Sequence, residues 1–237
     1  MSLFVAIEGG DGAGKATAAR NLSALLESDG ISATVVSFPR YRSTVGGVFL
    51  GEFLSGRLEV PVTPKAAAIL YAMDRLESVS VIDEAALLNQ VVIFDRYIAS
   101  NVAYQAAKVA PEESANLIDW IIRLEVDMFG LRAPDLSIYL DTPIEQARDL
   151  MLLKEKRDYT EREYDEHEAD VELQRRVRLN YTALTRTDLL GSWVTVNTVE
   201  QGYLRDPQNI ADEIRNNVVS CLRSYSPTKR EDINSTA

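Results

Sequence analysis

A five-stranded parallel α/β sheet with helices on both faces is the fold this sequence predicts. Short apolar runs alternate with longer stretches of helical periodicity, the mark of strand–helix–strand units. One run, Val91-Val92-Ile93-Phe94, is apolar at every position, as a strand covered on both sides should be. The first run also leads straight into a glycine-rich turn that opens a helix.

The strands fall at Leu3–Ile7, Ala33–Phe38, Val91–Asp95, Leu136–Asp141 and Trp193–Thr198. After the first, Ala18, Leu22, Leu25 and Leu26 recur at helical spacing, and Asp29-Gly30 supplies the stop. Thr63-Pro64 reads as an N-cap followed by proline at the first helical position. That helix carries Ile69, Met73 and Leu76 on one side. Further helices are expected over Glu112–Phe129, Pro143–Leu153, Asp170–Thr187 and Asp206–Arg223. Residues 1–223 thus read as a single domain. Residues 224–237 are polar, contain Pro227 and lack apolar periodicity, so a disordered tail is expected there.

Composition narrows the class. The chain has 237 residues, 46% hydrophobic and 26% charged, enough for one sizeable core and unlike a disordered chain. A net charge of −11 argues against a general nucleic-acid binder, which carries a basic footprint. A nucleotide substrate is compatible with it, because a few cations in a cleft overcome an acidic total. Cys221 is the only cysteine, so no intrachain disulfide forms and a reducing, cytoplasmic setting is expected. The N-terminus lacks the basic start and apolar core of a secretion signal, and no stretch reaches the ~20 apolar residues of a membrane span.

The turn after the first strand is Gly9-Gly10-Asp11-Gly12-Ala13-Gly14-Lys15-Ala16-Thr17. Glycines let successive N–H groups point into one concavity, the helix start adds partial positive charge, and Lys15 adds a full one. Such a cradle holds the phosphates of a nucleotide; an ordinary strand–helix turn is the bland alternative. One position departs from the pattern. Ala16 stands where a serine or threonine hydroxyl usually meets Mg²⁺, and Thr17 points about 100° away from it. A water can fill that place while carboxylates hold the ion. Asp95-Arg96-Tyr97 follows the third strand, at the carboxyl end where open α/β sheets bind ligands. Asp95 suits a metal or its water shell and Arg96 suits phosphate; an ion pair capping the strand explains the same pair structurally.

Taken together, Gly9 to Lys15, Phe38-Pro39-Arg40-Tyr41, Asp74-Arg75, Asp95 through Gln105, Pro134-Asp135-Leu136 and Glu168 closely resemble the thymidylate kinase family, in particular its actinobacterial branch. Some members of that branch also lack the hydroxyl after the lysine. The resemblance spans roughly residues 3 to 200 and implies a P-loop kinase fold, ATP as phosphoryl donor, dTMP as acceptor, Mg²⁺ and a homodimer. It places Asp11 between acceptor phosphate and metal, and Arg40 and Arg96 on the dTMP phosphate. Phe38 falls in the same dTMP-binding segment. The resemblance puts Tyr71 on the thymine face, Arg75 on a thymine carbonyl and Asn101 at the base N3 side. Tyr41 lies near the 3′-hydroxyl and Tyr104 beside the 2′ position of the sugar. By spacing alone Tyr71 serves equally as core, and Asn101 and Tyr104 simply share one helix face.

The charged run Lys154 to Glu163 stands where the family has an arginine-bearing lid, here about 150–168. Because residue 12 is glycine, the lid is expected to supply the transition-state cation through Arg157 or Arg162; a solvated surface is the alternative meaning of such a run. Glu168 corresponds to a family carboxylate near the metal, and the single histidine, His167, has no partners for a zinc site. The expected chemistry is in-line attack by the dTMP phosphate on the γ-phosphoryl group of ATP. Lys15, Arg96, Arg157 and Arg162 would stabilise the charge. Rival readings are another pyrimidine nucleotide or deoxynucleoside kinase, and a nucleotide-binding regulatory module without turnover.

Overall fold

The computed structural model describes residues 1–155 and 170–225. Arg157, Arg162, His167 and Glu168, and the tail from residue 226, lie outside the described residues. Five strands, β1 (Leu3–Glu8), β2 (Ala33–Ser37), β3 (Val91–Asp95), β4 (Leu136–Asp141) and β5 (Ser192–Asn197), form a parallel sheet in the order β2-β3-β1-β4-β5. The connection after β1 runs to β2 at one edge, whereas that after β3 crosses to β4 on the other side of β1, so the carboxyl ends of β1 and β3 flank the crevice where such sheets bind ligands.

The two faces of the sheet carry separate cores. On one side Leu3, Val5 and Ile7 pack with Leu22 and Leu26 of α1 (Lys15–Ser28). On the other, Phe4, Ala6 and Phe94 pack beneath a further layer of helices, with Phe94 stacked on Tyr97 at 4.2 Å. α2 (Val45–Leu54) packs on α3 (Pro64–Leu76), and α3, α4 (Val79–Leu88), α5 (Ile98–Ala106), α6 (Pro111–Ile122) and, beyond α7 (Ile144–Glu155), α8 (Val171–Leu184) supply the buried residues of that layer. A short antiparallel pair, β6 (Val199–Glu200) and β7 (Tyr203–Leu204), precedes α9 (Pro207–Tyr225), which returns to the α1 side. Residues 224 and 225, expected in the tail, are the last residues of α9.

One expectation about the helices changes. The helix over Glu112–Phe129 does not run through: after Ile122 the chain widens into a π-helical turn over Arg123–Met128, where Phe129 N–H donates to Leu124 O at 3.0 Å. Such widened turns concentrate at functional sites. In α3 the side that carries Ile69 and Leu76 is the more exposed one. Ile69 and Leu76 are each 39% exposed, while Ala67, Ala68, Ala72, Asp74 and Arg75 are buried. Close packing explains this: α3 lies so near α2 that a Cβ on Gly46 would stand 2.6 Å from Asp74 N. Small residues and two charged ones with buried partners fill that face.

Candidate active site

The phosphate loop is built as the sequence suggests, and its neighbours explain its composition. Gly12 has φ +73, and a Cβ there would lie 2.1 Å from the Ala147 carbonyl of α7. No side chain fits, so the loop itself brings no arginine. Gly9 (φ +151) likewise abuts the Leu140 carbonyl at the end of β4. Gly14 forms the left-handed start of α1, and Ala18 N–H closes its first turn on Gly14 O at 2.9 Å. Lys15 folds back over the loop, its Nζ donating to Gly10 O at 2.5 Å. Burial, then the Arg96 charge, push its ammonium down to about 7, against the pull of Asp11, Asp95 and Glu8. Ala16 is exposed at the mouth of the loop.

Arg96 joins the loop to β3. Its backbone takes φ 66, a conformation rare outside glycine and concentrated at functional sites. Its guanidinium pairs with Asp11, reaches Gly9 O at 3.3 Å and Ser100 Oγ at 3.4 Å, and lies over the Tyr104 ring at 5.3 Å. Burial raises the Asp11 carboxyl, but Arg96 and Lys15 outweigh that and hold it below its ordinary range. A buried acid supports this turn from behind. Glu8 accepts from Tyr97 N at 2.8 Å, Ser100 Oγ at 2.6 Å and Tyr181 OH at 2.9 Å. Burial raises its pKa, opposed by those hydrogen bonds and by Arg96.

The residues assigned to the nucleoside divide into two groups. Tyr104 sits at the phosphate end, its hydroxyl buried beside Asp11 and Arg96 with no hydrogen bond of good geometry. Arg75 and Asn101 meet deeper in. The Arg75 guanidinium gives Nε and Nη2, each at 2.5 Å, to the two oxygens of Glu125. Asn101 Nδ2 donates to Glu125 Oε1 at 2.8 Å and to Ala68 O at 3.0 Å. Tyr71 is half-buried on α3, one turn before Arg75.

The Phe-Pro-Arg-Tyr segment approaches from β2. Phe38 belongs to the core, in contact with Phe94 and Tyr97. Arg40 is tethered, its N–H to Asp74 Oδ2 and its Nη1 to Ser78 Oγ, both at 3.0 Å. Tyr41 is 44% exposed at the rim.

Some residues of this site were not visible in the sequence. Gln174 of α8 grips Asp11 twice, donating Nε2 to Oδ2 at 2.8 Å and accepting Asp11 N–H at 3.3 Å. Nothing in its surroundings distinguishes it from any helix glutamine. Glu125 did carry a signal. It lies four residues after Ile121 and eight after Leu117, on the buried stripe of α6, where a carboxylate needs a partner. Gln105 is fully buried with neither end of its amide hydrogen-bonded.

For a metal, the described residues hold no group of three or more ligating side chains. Both Asp11 oxygens are engaged, by Arg96 and Gln174. Asp95 stands at the end of β3 close enough to act on Lys15 and Arg96. This donor set fits an ion carried mainly by nucleotide phosphates and water, with Asp95 as the available protein carboxylate.

A glycine-rich loop after β1 ending in Lys15, an arginine-bearing turn after β3 and a buried Arg75–Asn101–Glu125 cluster are the parts of a nucleoside monophosphate kinase of the P-loop class. The family model for thymidylate kinase matches residues 7–204. A Mycobacterium tuberculosis thymidylate kinase is 35% identical over 204 residues, covering 85% of this chain and 95% of that protein. Probable thymidylate kinases of Thermococcus gammatolerans and Pyrococcus abyssi are 34% and 32% identical, covering 78% and 76% of this chain. The chain belongs to the thymidylate kinase family, whose members are ATP-dependent nucleoside monophosphate kinases.

Proposed function

We infer that the protein transfers the γ-phosphoryl group of ATP to dTMP, giving dTDP and ADP. Within the family, the observation that supports the substrate is the presence of two unlike sets of groups. Arg96 holds the phosphate cradle at Gly9 and Asp11, and Arg75, Asn101 and Glu125 form a separate buried polar cluster, with Asn101 on the helix that follows Arg96. The acceptor phosphate is already an anion, so no general base is required. Arg96 spans loop and acceptor side, and Lys15 sits against the donor phosphates. Both are fixed before substrate arrives, which is how charge stabilisation becomes catalytic. Their contacts with Asp11, Gly9 and Gly10 keep the cations aimed into the cleft.

Mg²⁺ would be held by the phosphates with Asp95, and with Glu168 by resemblance, where it neutralises phosphoryl charge. Since Gly12 excludes any side chain, the transition-state cation beyond Lys15 and Arg96 is assigned to the lid, to Arg157 or Arg162. A homodimer is supported by the apolar outer surface of α2 and α3. Val45, Val48 and Phe49 are 57%, 47% and 49% exposed there, beside the outward Ile69 and Leu76. ATP and dTMP as substrates, with one lone cysteine, support a cytoplasmic setting.

The deciding experiment is a coupled assay of ADP release with dTMP, dUMP, UMP and thymidine in competition, across a Mg²⁺ titration. Preferential turnover of dTMP is expected. Preference for thymidine would move the assignment to a nucleoside kinase, and no turnover of any acceptor would leave a binding module.

A further inference from the structure

We propose that Glu125 is the positioning residue that decides which pyrimidine the site accepts, by fixing the polarity of both groups that read the base. It rests on the dTMP reading above and extends it to a residue that does not touch the base itself.

The argument starts from what surrounds the Asn101 amide. Its Nδ2 faces the Ala68 carbonyl at 3.0 Å and Glu125 Oε1 at 2.8 Å. Both are acceptors without a proton to give, so the amide has one workable orientation, nitrogen toward them and oxygen away. Asn101 Oδ1 is left buried without a hydrogen-bond partner, in a residue 1% exposed. An unsatisfied buried acceptor invites a ligand donor.

The same carboxylate takes Arg75 Nε and Nη2 at 2.5 Å each, with Arg75 2% and Glu125 0% exposed. Glu125 thereby holds one edge of the guanidinium and leaves the Nη1 corner as the part it does not engage. One acceptor and one donor are thus held through the same carboxylate. Thymine presents the complement, an N3–H donor beside the O4 acceptor, whereas cytosine presents an N3 acceptor beside an N4 amino donor. An aminopyrimidine meets acceptor with donor reversed at both atoms. Glu125 continues the buried stripe of α6 into the π-helical turn, and widened turns of this kind concentrate at functional sites.

Glu125→Gln keeps the volume but offers one acceptor end and one donor end. Either its amide nitrogen replaces Oε2 and meets the Arg75 Nε–H donor to donor, or it replaces Oε1 and faces Arg75 Nη2 and Asn101 Nδ2. In both orientations a bond that fixes a base-reading group is lost and the alignment of Arg75 and Asn101 loosens. The measurement is the ratio of kcat/KM for dTMP over dCMP, which share sugar and phosphate, on wild type and Glu125→Gln. Taken in one sample, that ratio is independent of the fraction of protein that is folded. A site built on specific hydrogen bonds discriminates by orders of magnitude, so the ratio should fall by at least about tenfold. The loss should lie in KM for dTMP more than in kcat with saturating dTMP. If Glu125→Gln yields no folded protein, Glu125→Asp decides by the same criterion. It keeps the charge but is one methylene too short to reach both partners. A wild-type preference for dTMP that persists unchanged in the folded variant overturns the positioning role and leaves the substrate reading intact. Failure of the wild type to prefer dTMP overturns both.

Discussion

The proposed phosphate end and the proposed base end of this site are made by different physics. At the first, the groups are backbone N–H groups and one lysine, contiguous in sequence from Gly9 to Lys15 and shaped by local backbone conformation. At the base end, Arg75 comes from α3, Asn101 from α5 and Glu125 from the π-helical turn, 24 and 50 residues from one another along the bonds that join them. The first site is robust because its geometry is covalently close at hand. The second exists only when three helices pack correctly, and it holds a buried ion pair whose partners cannot be removed singly without cost.

That contrast can be broken most sharply at Lys15. Removing one preorganised charge-stabilising group from a reaction of this kind costs about 10²–10³ in turnover. Lys15→Ala should lose at least that in ADP release while its thermal midpoint stays near wild type, because the ammonium is desolvated rather than packed. Near-normal activity would remove Lys15 from catalysis.

Arg75→Ala should behave in the opposite way. It strands the Glu125 carboxylate in the interior, so about 3–5 kcal/mol of stability should go, visible as a large drop in thermal midpoint. KM for dTMP should rise while the folded fraction keeps its kcat, the signature of lost ground-state binding. If stability is unchanged, the base end is not the brittle region.

The pH dependence sharpens the comparison further. Burial holds free Lys15 near 7, while phosphate oxygens favour its charged form. The nucleotide therefore binds the protonated enzyme. As pH rises through about 7 the free enzyme loses that proton, and Kd for ATP should climb by up to about tenfold per pH unit. Calorimetry at several pH values should show proton uptake on binding, absent in Lys15→Ala. No comparable slope belongs to the base clamp, where Arg75 stays charged throughout.

The smallest effect is expected at Ala16. It is exposed beside the loop, so Ala16→Ser should leave stability within about 0.5 kcal/mol. It should lower the Mg²⁺ concentration needed for half-maximal activity only modestly. A large gain would show that the missing hydroxyl limits metal binding in the natural protein.

The strands, their parallel arrangement and the phosphate loop were legible because each depends on neighbours in sequence. Four apolar residues in a row demand cover on both faces, and glycines before a lysine at a helix start demand an anion. The outward turn of Ile69 and Leu76 was not legible, since the helical period fixes which residues share a face but not which face meets the core. Nor was the meeting of Gln174 with Asp11, 163 residues apart. Arg75 and Asn101 were recognisable by resemblance, but their common partner was not. The sequence by itself therefore determined the fold class and the glycine-rich loop that runs into Lys15. Only the tertiary structure decided which way the Asn101 amide points, because hydrogen-bond polarity at a buried amide depends on which acceptors the packing places beside it.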